Sequence, residues 1–500
     1  MRLPRPGNWT WLLPALALLG GIFLYLVPPG STPVGWDAWW NLVVSRAWAE
    51  GGFPQAFPAA AYTMLEERYA EYQLALQALL VVVGGRQIGP GLVPPLVWLL
   101  ALAQGAVFWL CLRRLRPGAS PGWLLLPAAL SATWLFRATA LRGMMLTLLF
   151  LLPLVTLLVE RARGRRGRAG LLGIFLLAAL VAYSHSALAL PLVLVALLLV
   201  GARLQRGPLL LPEALAVLAG FALANLARPD FPANLELLWN LNVRLPWADL
   251  TGAIAAVPVE LRPFGFGELL LWNTPFLLAL GLVAWRLRRA PRPWALLLPV
   301  LFLALAALAS RRMFETAAPF LALLLAFLLD ERRHRRLALV VGTVALLALP
   351  WQIRQAQVSA RANRPDRLGN AAHWIQERAR PGDLVFLTDY ALTGPLAWHT
   401  RGSGLRFTGW RDPAWMLAWN EEAWREWRRI KSAAEPAPEK TLRDFFQARF
   451  LVYHRLDALP GRPPGETAKY LGRMAYRLSS QGSSLDGQAF GPWICLRLPW

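Results

Sequence analysis

The chain has 500 residues, of which 56% are hydrophobic and only 16% charged, against the roughly 25% charge of an ordinary globular domain. That composition excludes a string of soluble domains and implies a polytopic membrane protein. The formal net charge of +23 lies largely in short Arg clusters between apolar runs, a topology signal rather than a nucleic-acid footprint, and two cysteines, Cys111 and Cys495, are too few for a disulfide framework.

Eleven apolar runs long enough, or nearly so, to cross about 30 Å of hydrocarbon lie near 9–29, 91–112, 121–136, 141–159, 170–184, 187–203, 208–226, 267–285, 294–309, 317–329 and 337–351. The first ends at Pro28-Pro29-Gly30 without a small-x-small cleavage site, so it is expected to stay as an anchor. The clusters Arg113-Arg114-Leu115-Arg116, Arg161 to Arg168, Arg203 with Arg206, Arg286 to Arg292 and Arg332 to Arg336 fall in alternate loops. They are expected inside with the N-terminus, in a plasma or inner membrane, and the loops 30–90 and 227–266 outside. The scheme needs 73–83, eleven residues, to be re-entrant or interfacial instead of a crossing.

Beyond 351 the apolar runs shorten and Pro/Gly turns appear. The pattern predicts a helix over 365–379, a strand over 384–388, helices over 413–430 and 439–447, and strands over 450–453 and 493–498. The fold class is an all-α polytopic membrane bundle (about 11 transmembrane helices) with interfacial helices in the first outer loop, plus a small C-terminal α/β soluble domain. The division is 1–351 for the bundle and 352–500 for an extracytoplasmic domain. No internal repeat or low-complexity tract interrupts it.

The first outer loop carries the sharpest pattern. Trp36, Trp39, Trp40, Val43, Val44, Ala47 and Trp48 form one apolar helical face, expected to lie in the membrane interface. Asp37, Asn41 and Ser45 form a polar stripe at i, i+4 and i+8. A carboxylate there can meet both a lipid-borne and a water-borne reactant. As an alternative, Asp37 is a favoured N-cap for a helix over 38–50.

One crossing, then Gly35-Trp36-Asp37-Ala38-Trp39-Trp40, an amphipathic helix and Ala49-Glu50-Gly51-Gly52-Phe53-Pro54 resemble the first outer loop of the GT-C superfamily. These are polytopic glycosyltransferases that use polyprenyl-phosphate sugars, among them protein O-mannosyltransferases and aminoarabinose transferases. Arg142 after the third span, Tyr183-Ser184-His185-Ser186 at an outer helix end, and the stretch from Arg311 and Arg312 through Glu315 to Phe320 also match. So do Gly382 to Phe386 and Thr408-Gly409-Trp410-Arg411-Asp412-Pro413. The resemblance implies that Asp37 is catalytic. Several members carry a second acid near the next helices, where this chain has only Arg137 and Arg142, so any second acid is Glu66, Glu67 or Glu71, with Glu71 the candidate beside Asp37.

Sugar transfer from such a donor needs a base for the acceptor hydroxyl and cations for the phosphate. Asp37 is the base candidate. Arg142 and the pair Arg311 and Arg312 are the phosphate candidates, with snorkelling to headgroups as the alternative. Asn41, His185 and Glu315 complete the substrate-binding candidates, Glu315 being equally a partner for Arg311 or Arg312. No metal cluster is recognisable, although Glu66 to Glu71 with Asp37 offer carboxylates for a divalent cation; a solvated acidic face is the plainer reading. Trp398, Trp410, Trp415, Trp419, Trp424 and Trp427 suit a domain core or docking on the bilayer.

The implied partners are a polyprenyl-phosphate-linked sugar donor, a glycan, lipid or protein acceptor, and the bilayer, with no nucleic acid. Two other classes compete. A transporter or flippase of lipid-linked saccharide requires ionisable groups near the midplane, where the sequence offers little beyond Glu213. A non-catalytic envelope-assembly protein keeps the same shell without activity.

Overall fold

The computed structural model describes residues 11–71, 73–165, 168–185, 189–244, 262–288, 292–329, 335–364, 368–409, 413–455, 465–483 and 485–500. Parts of three predicted Arg clusters, at 166–167, 289–291 and 332–334, lie outside that set, as do Ser186, loop residues 245–261 and Trp410-Arg411-Asp412.

Helix α1 (Leu12–Leu26) stops before Pro28, and α2 (Trp36–Gly51) and α3 (Leu74–Gly84) lie in the first long loop, residues 30–90. There follow α4 (Val93–Leu115), α5 (Leu126–Leu130), α6 (Ala132–Thr139), α7 (Gly143–Ala162), α8 (Arg168–Ser184), α9 (Ala189–Leu204), α10 (Leu211–Leu226) and α11 (Ala233–Trp239). The bundle is completed by α12 (Phe266–Leu287), α13 (Trp294–Ala309), α14 (Phe314–Leu328) and α15 (Arg335–Ala362). Among the described residues, four helical stretches are long and apolar enough to cross a membrane: Pro90–Leu115, Gly143–Ala162, Phe266–Leu287 and Arg336–Ala362. Shorter apolar helices of 10–17 residues accompany them, α1, α3 and α8 to α10 included.

The predicted run 121–136 is not one helix. A 3-10 turn over Pro121–Leu125, α5 and α6 succeed one another, and the break falls at Ser131, whose hydroxyl accepts from the Trp134 N–H at 3.1 Å. The Ser131 hydroxyl also donates to Asn273 Oδ1 at 2.7 Å, and Asn273 is the kinked residue of α12, at φ −138°. Two interruptions in apolar surroundings thus satisfy each other's polar groups, which is what tolerates them there. Helix α14 is buried along almost its whole length and forms the centre of the bundle. It is tied to α6 by Arg137 Nε on Glu315 Oε2 at 2.7 Å.

Beyond the bundle, the strands are β1 (Ala60–Ala61), β2 (Leu384–Leu387), β3 (Arg406–Thr408), β4 (Ala448–His454), β5 (Asp486–Phe490) and β6 (Trp493–Arg497). They make one sheet in the order β1-β3-β2-β4-β6-β5, parallel from β1 to β4 and antiparallel at β6 and β5. Its edge strand β1 comes from the first outer loop. Around the sheet lie α16 (Leu368–Arg378), α17 (Thr393–His399), α18 (Pro413–Trp419), α19 (Glu421–Lys431) and α20 (Glu466–Ser480). Helix α15 runs without a break through residue 351 to Ala362.

Strand alternation assigns the two faces. Val385, Leu387, Phe450 and Val452 pack with α16 and with Trp40, Val44 and Leu65 of the first loop. Leu384, Phe386, Leu451 and Tyr453 pack with Trp424, Trp427, Leu471 and Met474. Of the tryptophans of 413–430, Trp415, Trp424 and Trp427 are therefore buried in the domain core, and Trp419 is half-buried beside Arg68. The predicted single helix breaks at Asn420, whose side chain accepts from the Ala423 N–H and starts α19.

The Trp face of α2 is covered by protein as well. Trp36 meets Trp493 edge-on at 6.4 Å, Trp39 lies against Trp398 and His399, and Trp40 against Phe57 at 5.7 Å. The face expected to meet the membrane interface is instead covered in large part by α17, because periodicity identifies an apolar face without naming its cover. At Gly394 an added Cβ would stand 3.0 Å from the Trp40 backbone nitrogen and 3.2 Å from the Trp39 Cβ.

Gly394→Ala is expected to cost about 1–3 kcal/mol of stability. Gly472→Ala, at an open position inside α20, should gain about 0.5–1 kcal/mol; denaturant unfolding of the two variants checks the contrast. Packing on Trp39 first, and Arg401 second, lowers the His399 pKa below its ordinary 6.5. The unfolded chain then takes the proton more readily, so this contribution is complete above about pH 6.5 and is lost as pH falls below it. Thermal unfolding between pH 5 and 8 should show that slope, and His399→Gln should flatten it.

Candidate active site

Val34 pairs in parallel with Ala140 across an isolated β-bridge. Gly35, at φ +78°, passes where a Cβ would lie 3.3 Å from the Ala140 Cβ. The close approach brings the first turn of α2 against the turn that opens α7. There Arg142 Nε faces Asp37 Oδ2 at 3.1 Å, with side-chain exposures of 14% and 21%. The pair is shielded enough to matter electrostatically and open enough for a ligand to reach.

Asp37 does not cap its helix. The N-cap is Gly35 and the helix begins at Trp36, so Asp37 is the second helical residue, where the helix dipole favours a carboxylate. Arg142 is itself the N-cap of α7 and makes no side-chain cap bond. A guanidinium at the positive end of a 20-residue helix is unfavourable by itself and suits an anion.

The rest of the polar stripe points inward. Asn41 Nδ2 donates to Gln73 Oε1 at 2.9 Å and to the Leu141 carbonyl at 3.3 Å, and the Ser45 hydroxyl donates to the Gln77 carbonyl at 3.3 Å. Glu71 is fully buried. Its carboxylate accepts from Trp40 Nε1 at 2.7 Å, Tyr69 OH at 2.9 Å, Gln77 Nε2 at 2.7 Å and the Gln73 N–H at 2.9 Å. Its backbone N–H donates to Asp230 Oδ2 at 2.9 Å, and its carbonyl accepts from Arg228, which pairs with Asp230 at 2.7 Å. The solvated acidic face expected over Glu66 to Glu71 is therefore absent: Glu66 pairs with Arg406, Glu67 is exposed and Glu71 is enclosed.

The remaining candidates divide. Glu315 pairs with Arg137, not with Arg311 or Arg312, at exposures of 5% and 4%. Arg311 engages the segment before α12: its backbone N–H bonds the Arg262 carbonyl at 3.0 Å, and its guanidinium pairs with Glu268 at 2.5 Å and lies over the Phe264 ring at 4.5 Å. Arg312 is half-buried in the same 3-10 turn, Arg311–Met313. Thr316 Oγ1 reaches Met144 Sδ at 3.9 Å, so the N-terminal ends of α14 and α7 meet at the Arg142 end of the bundle. His185 is buried there too, just past Ser184, whose hydroxyl is 2.9 Å from Thr147 Oγ1 in α7.

Gln73, Gln77, Tyr69, Arg228 and Asp230 were missed from sequence. Gln73 and Gln77, four apart at the edge of an apolar run, carried a readable signal; the others lie in irregular loop. Among the described residues no group of three or more His, Cys, Asp or Glu is gathered to hold a metal ion. The donor set does not fit a cation either, since Asp37 faces a guanidinium and Glu71 is saturated by donors. A cavity of about 690 Å³ lies elsewhere, between residues 120–129 and α15, and is lined mainly by apolar side chains.

No family model and no curated protein matches the chain. Solved structures do. The Archaeoglobus fulgidus oligosaccharyltransferase tethered with an acceptor peptide aligns at TM-score 0.63 and 14% identity, over 89% of this chain and 69% of that one. ArnT from Cupriavidus metallidurans in the apo state aligns at TM-score 0.60 and 15% identity, over 98% of each chain. ArnT bound to undecaprenyl phosphate aligns at TM-score 0.57 and 16% identity, over 97% of this chain and 98% of that one. The chain therefore shares the fold of the Archaeoglobus oligosaccharyltransferase and of ArnT, the kind of fold that the resemblance of its first loop implied.

Glu71→Gln keeps one acceptor oxygen and turns an NH2 toward whatever donors met the other, either the Gln73 N–H at Oε1 or Trp40, Tyr69 and Gln77 at Oε2. It should cost about 1–3 kcal/mol, whereas Glu67→Gln on the surface should stay within about 0.5 kcal/mol. Unfolding of the purified variants measures both.

Proposed function

We propose that the chain is an integral membrane glycosyltransferase that moves a sugar from a polyprenyl-phosphate-linked donor to a glycan, lipid or protein acceptor on the extracytoplasmic side. The observation that carries this reading is the half-open pair of Asp37 and Arg142, where a base and a phosphate-binding cation meet at two helix starts. The fold shared with ArnT, solved with undecaprenyl phosphate, and with the Archaeoglobus enzyme AglB, solved with a dolichol-phosphate and an inhibitory peptide, supports it.

In this mechanism the donor phosphate draws Arg142 away from Asp37. The freed carboxylate accepts the proton of the acceptor hydroxyl as its oxygen bonds the anomeric carbon. The bond from that carbon to the phosphate oxygen breaks, and the leaving polyprenyl phosphate keeps the electron pair, held by Arg142 and the N-terminus of α7. Glu71 does not react; it holds Trp40 and the 69–77 segment in register. Asn41 orients α2. Arg311, Arg312 and His185, at the same end of the bundle, contact the donor or acceptor, while Glu315 holds Arg137. Eleven crossings with a cytoplasmic N-terminus put 30–90, 227–266 and the domain of residues 352–500 outside, with the first loop clasped between bundle and domain.

The test is transfer by protein in nanodiscs, given a panel of undecaprenyl-phosphate monosaccharides and extracytoplasmic acceptors. Asp37→Asn should lower the rate by about 10² to 10⁴ while stability falls by no more than about 1–2 kcal/mol from the lost dipole and Arg142 interactions, so folded protein remains. Full activity in Asp37→Asn would overturn the base assignment, and absence of turnover with every donor would overturn the function.

A further inference from the structure

Helix α7 opens on a residue that cannot cap it. The side chain of Arg142 makes no cap bond, and arginine has no acceptor to offer the first N–H groups of a helix. The first of those groups, the Gly143 N–H, is satisfied from another element: it donates to Gln73 Oε1 at 2.9 Å. The same oxygen accepts from Asn41 Nδ2 at 2.9 Å. Gln73 is 2% exposed, and its own backbone N–H is held by the Glu71 carboxylate. One carboxamide oxygen therefore joins α2, one turn after Asp37, to α7, one residue after Arg142. The fit is tight, since a Cβ on Gly143 would stand 2.8 Å from the Gln73 Cγ and 3.0 Å from the Ser184 carbonyl.

We propose that Gln73 is a positioning residue of the Asp37 and Arg142 site, capping α7 in trans so that residue 142 is released from capping and its guanidinium serves the phosphate and Asp37. A self-capping Ser, Thr, Asn or Asp at 142 would hold the helix start equally well, but would leave no cation there. The price is dependence on an acceptor from α3's entry. This inference rests on the proposed reading of Asp37 and Arg142, and it explains why a short helix that does not cross the membrane is wedged between α2 and the start of α7.

The experiment compares Gln73→Met, which keeps length and removes the acceptor, with Gln73→Glu, which keeps an acceptor oxygen, beside Asp37→Asn. Each is measured in nanodiscs for kcat and KM of transfer, for the Kd of undecaprenyl phosphate alone, and for thermal unfolding. Loss of the acceptor lets the Arg142 turn drift, and a displacement of about 1 Å costs on the order of 10²-fold in rate. Gln73→Met should therefore lose about that much kcat, with acceptor KM little changed and binding of undecaprenyl phosphate weakened severalfold, while folded protein remains. Gln73→Glu should recover most of both. If Gln73→Met binds undecaprenyl phosphate and turns over as wild type while Asp37→Asn is inactive, the positioning role is overturned and the functional reading stands. If both glutamine variants lose activity only in step with lost folded protein, Gln73 is merely structural and the inference is overturned. If Asp37→Asn is fully active, the base assignment fails, and an undecaprenyl phosphate affinity in Gln73→Met unchanged from the wild type would then overturn the positioning role on its own.

Discussion

A carboxylate removed from water must be surrounded by donors, and the end of the bundle that carries Asp37 and Arg142 is organised by Glu71 meeting that demand. Four donors from residues 40, 69, 73 and 77 converge on its two oxygens, and Asp230 and Arg228 take up its backbone groups. Hydrogen bonds to a charged group contribute about 1.5–3 kcal/mol each, and leaving one buried partner unmade costs comparably. None of these groups has water as a substitute, so α2, the approach to α3 and the loop after α10 hold one mutual arrangement. Helix α2 is then gripped on both sides, by Gln73 and Gln77 on its polar stripe and by α17 on its tryptophans. The direction of Asp37 is a consequence of that grip.

Five residues apart, two arginines show how the same side chain is put to different ends. Arg137 and Glu315 are 4% and 5% exposed, and removing either partner of such a pair costs about 3–5 kcal/mol. That arginine locks the broken segment of α5 and α6 onto the central helix. Arg142 and Asp37 are three to four times more exposed at a similar separation, so solvent screens the pair and a competing anion can take the guanidinium. Glu213, the residue on which a midplane transport pathway would have rested, is closed off by Arg161 at 2.7 Å and belongs with the first kind.

The sequence made the polar stripe of α2 legible, because a helical period places Asp37, Asn41 and Ser45 on one face whatever surrounds it. What covers each face was not legible. Lipid and protein present the same demand to a tryptophan, and the cover of Trp39 comes from residues about 360 positions away. The partners of Glu71 were hidden for the same reason, as Asp230 stands 159 positions off. A two-residue strand of alanines, Ala60–Ala61, has no periodicity to read, yet it completes the sheet through Phe407 and Thr408. Ser131 broke a predicted span because a serine amid apolar residues scores as a tolerable polar group; only Asn273, on another helix, makes it a stable break.

The pairing of one acid with one arginine also answers why the site needs no second reacting carboxylate in the proposed chemistry. Before transfer, one negative charge sits on Asp37 and one on the phosphodiester of the donor. Afterwards Asp37 is neutral, having taken the acceptor proton, and the phosphate carries the additional charge. The total is unchanged; a single unit has moved from the carboxylate to the phosphate. A cation fixed on either group would favour one end of the reaction, whereas Arg142, half-shielded beside Asp37 and carrying several N–H donors on one planar fork, can follow the charge as it moves. A second carboxylate beside Asp37 would hold the guanidinium back at the moment the leaving phosphate needs it. Enclosing Glu71 among donors that are not cations keeps its charge in the structure and away from that exchange.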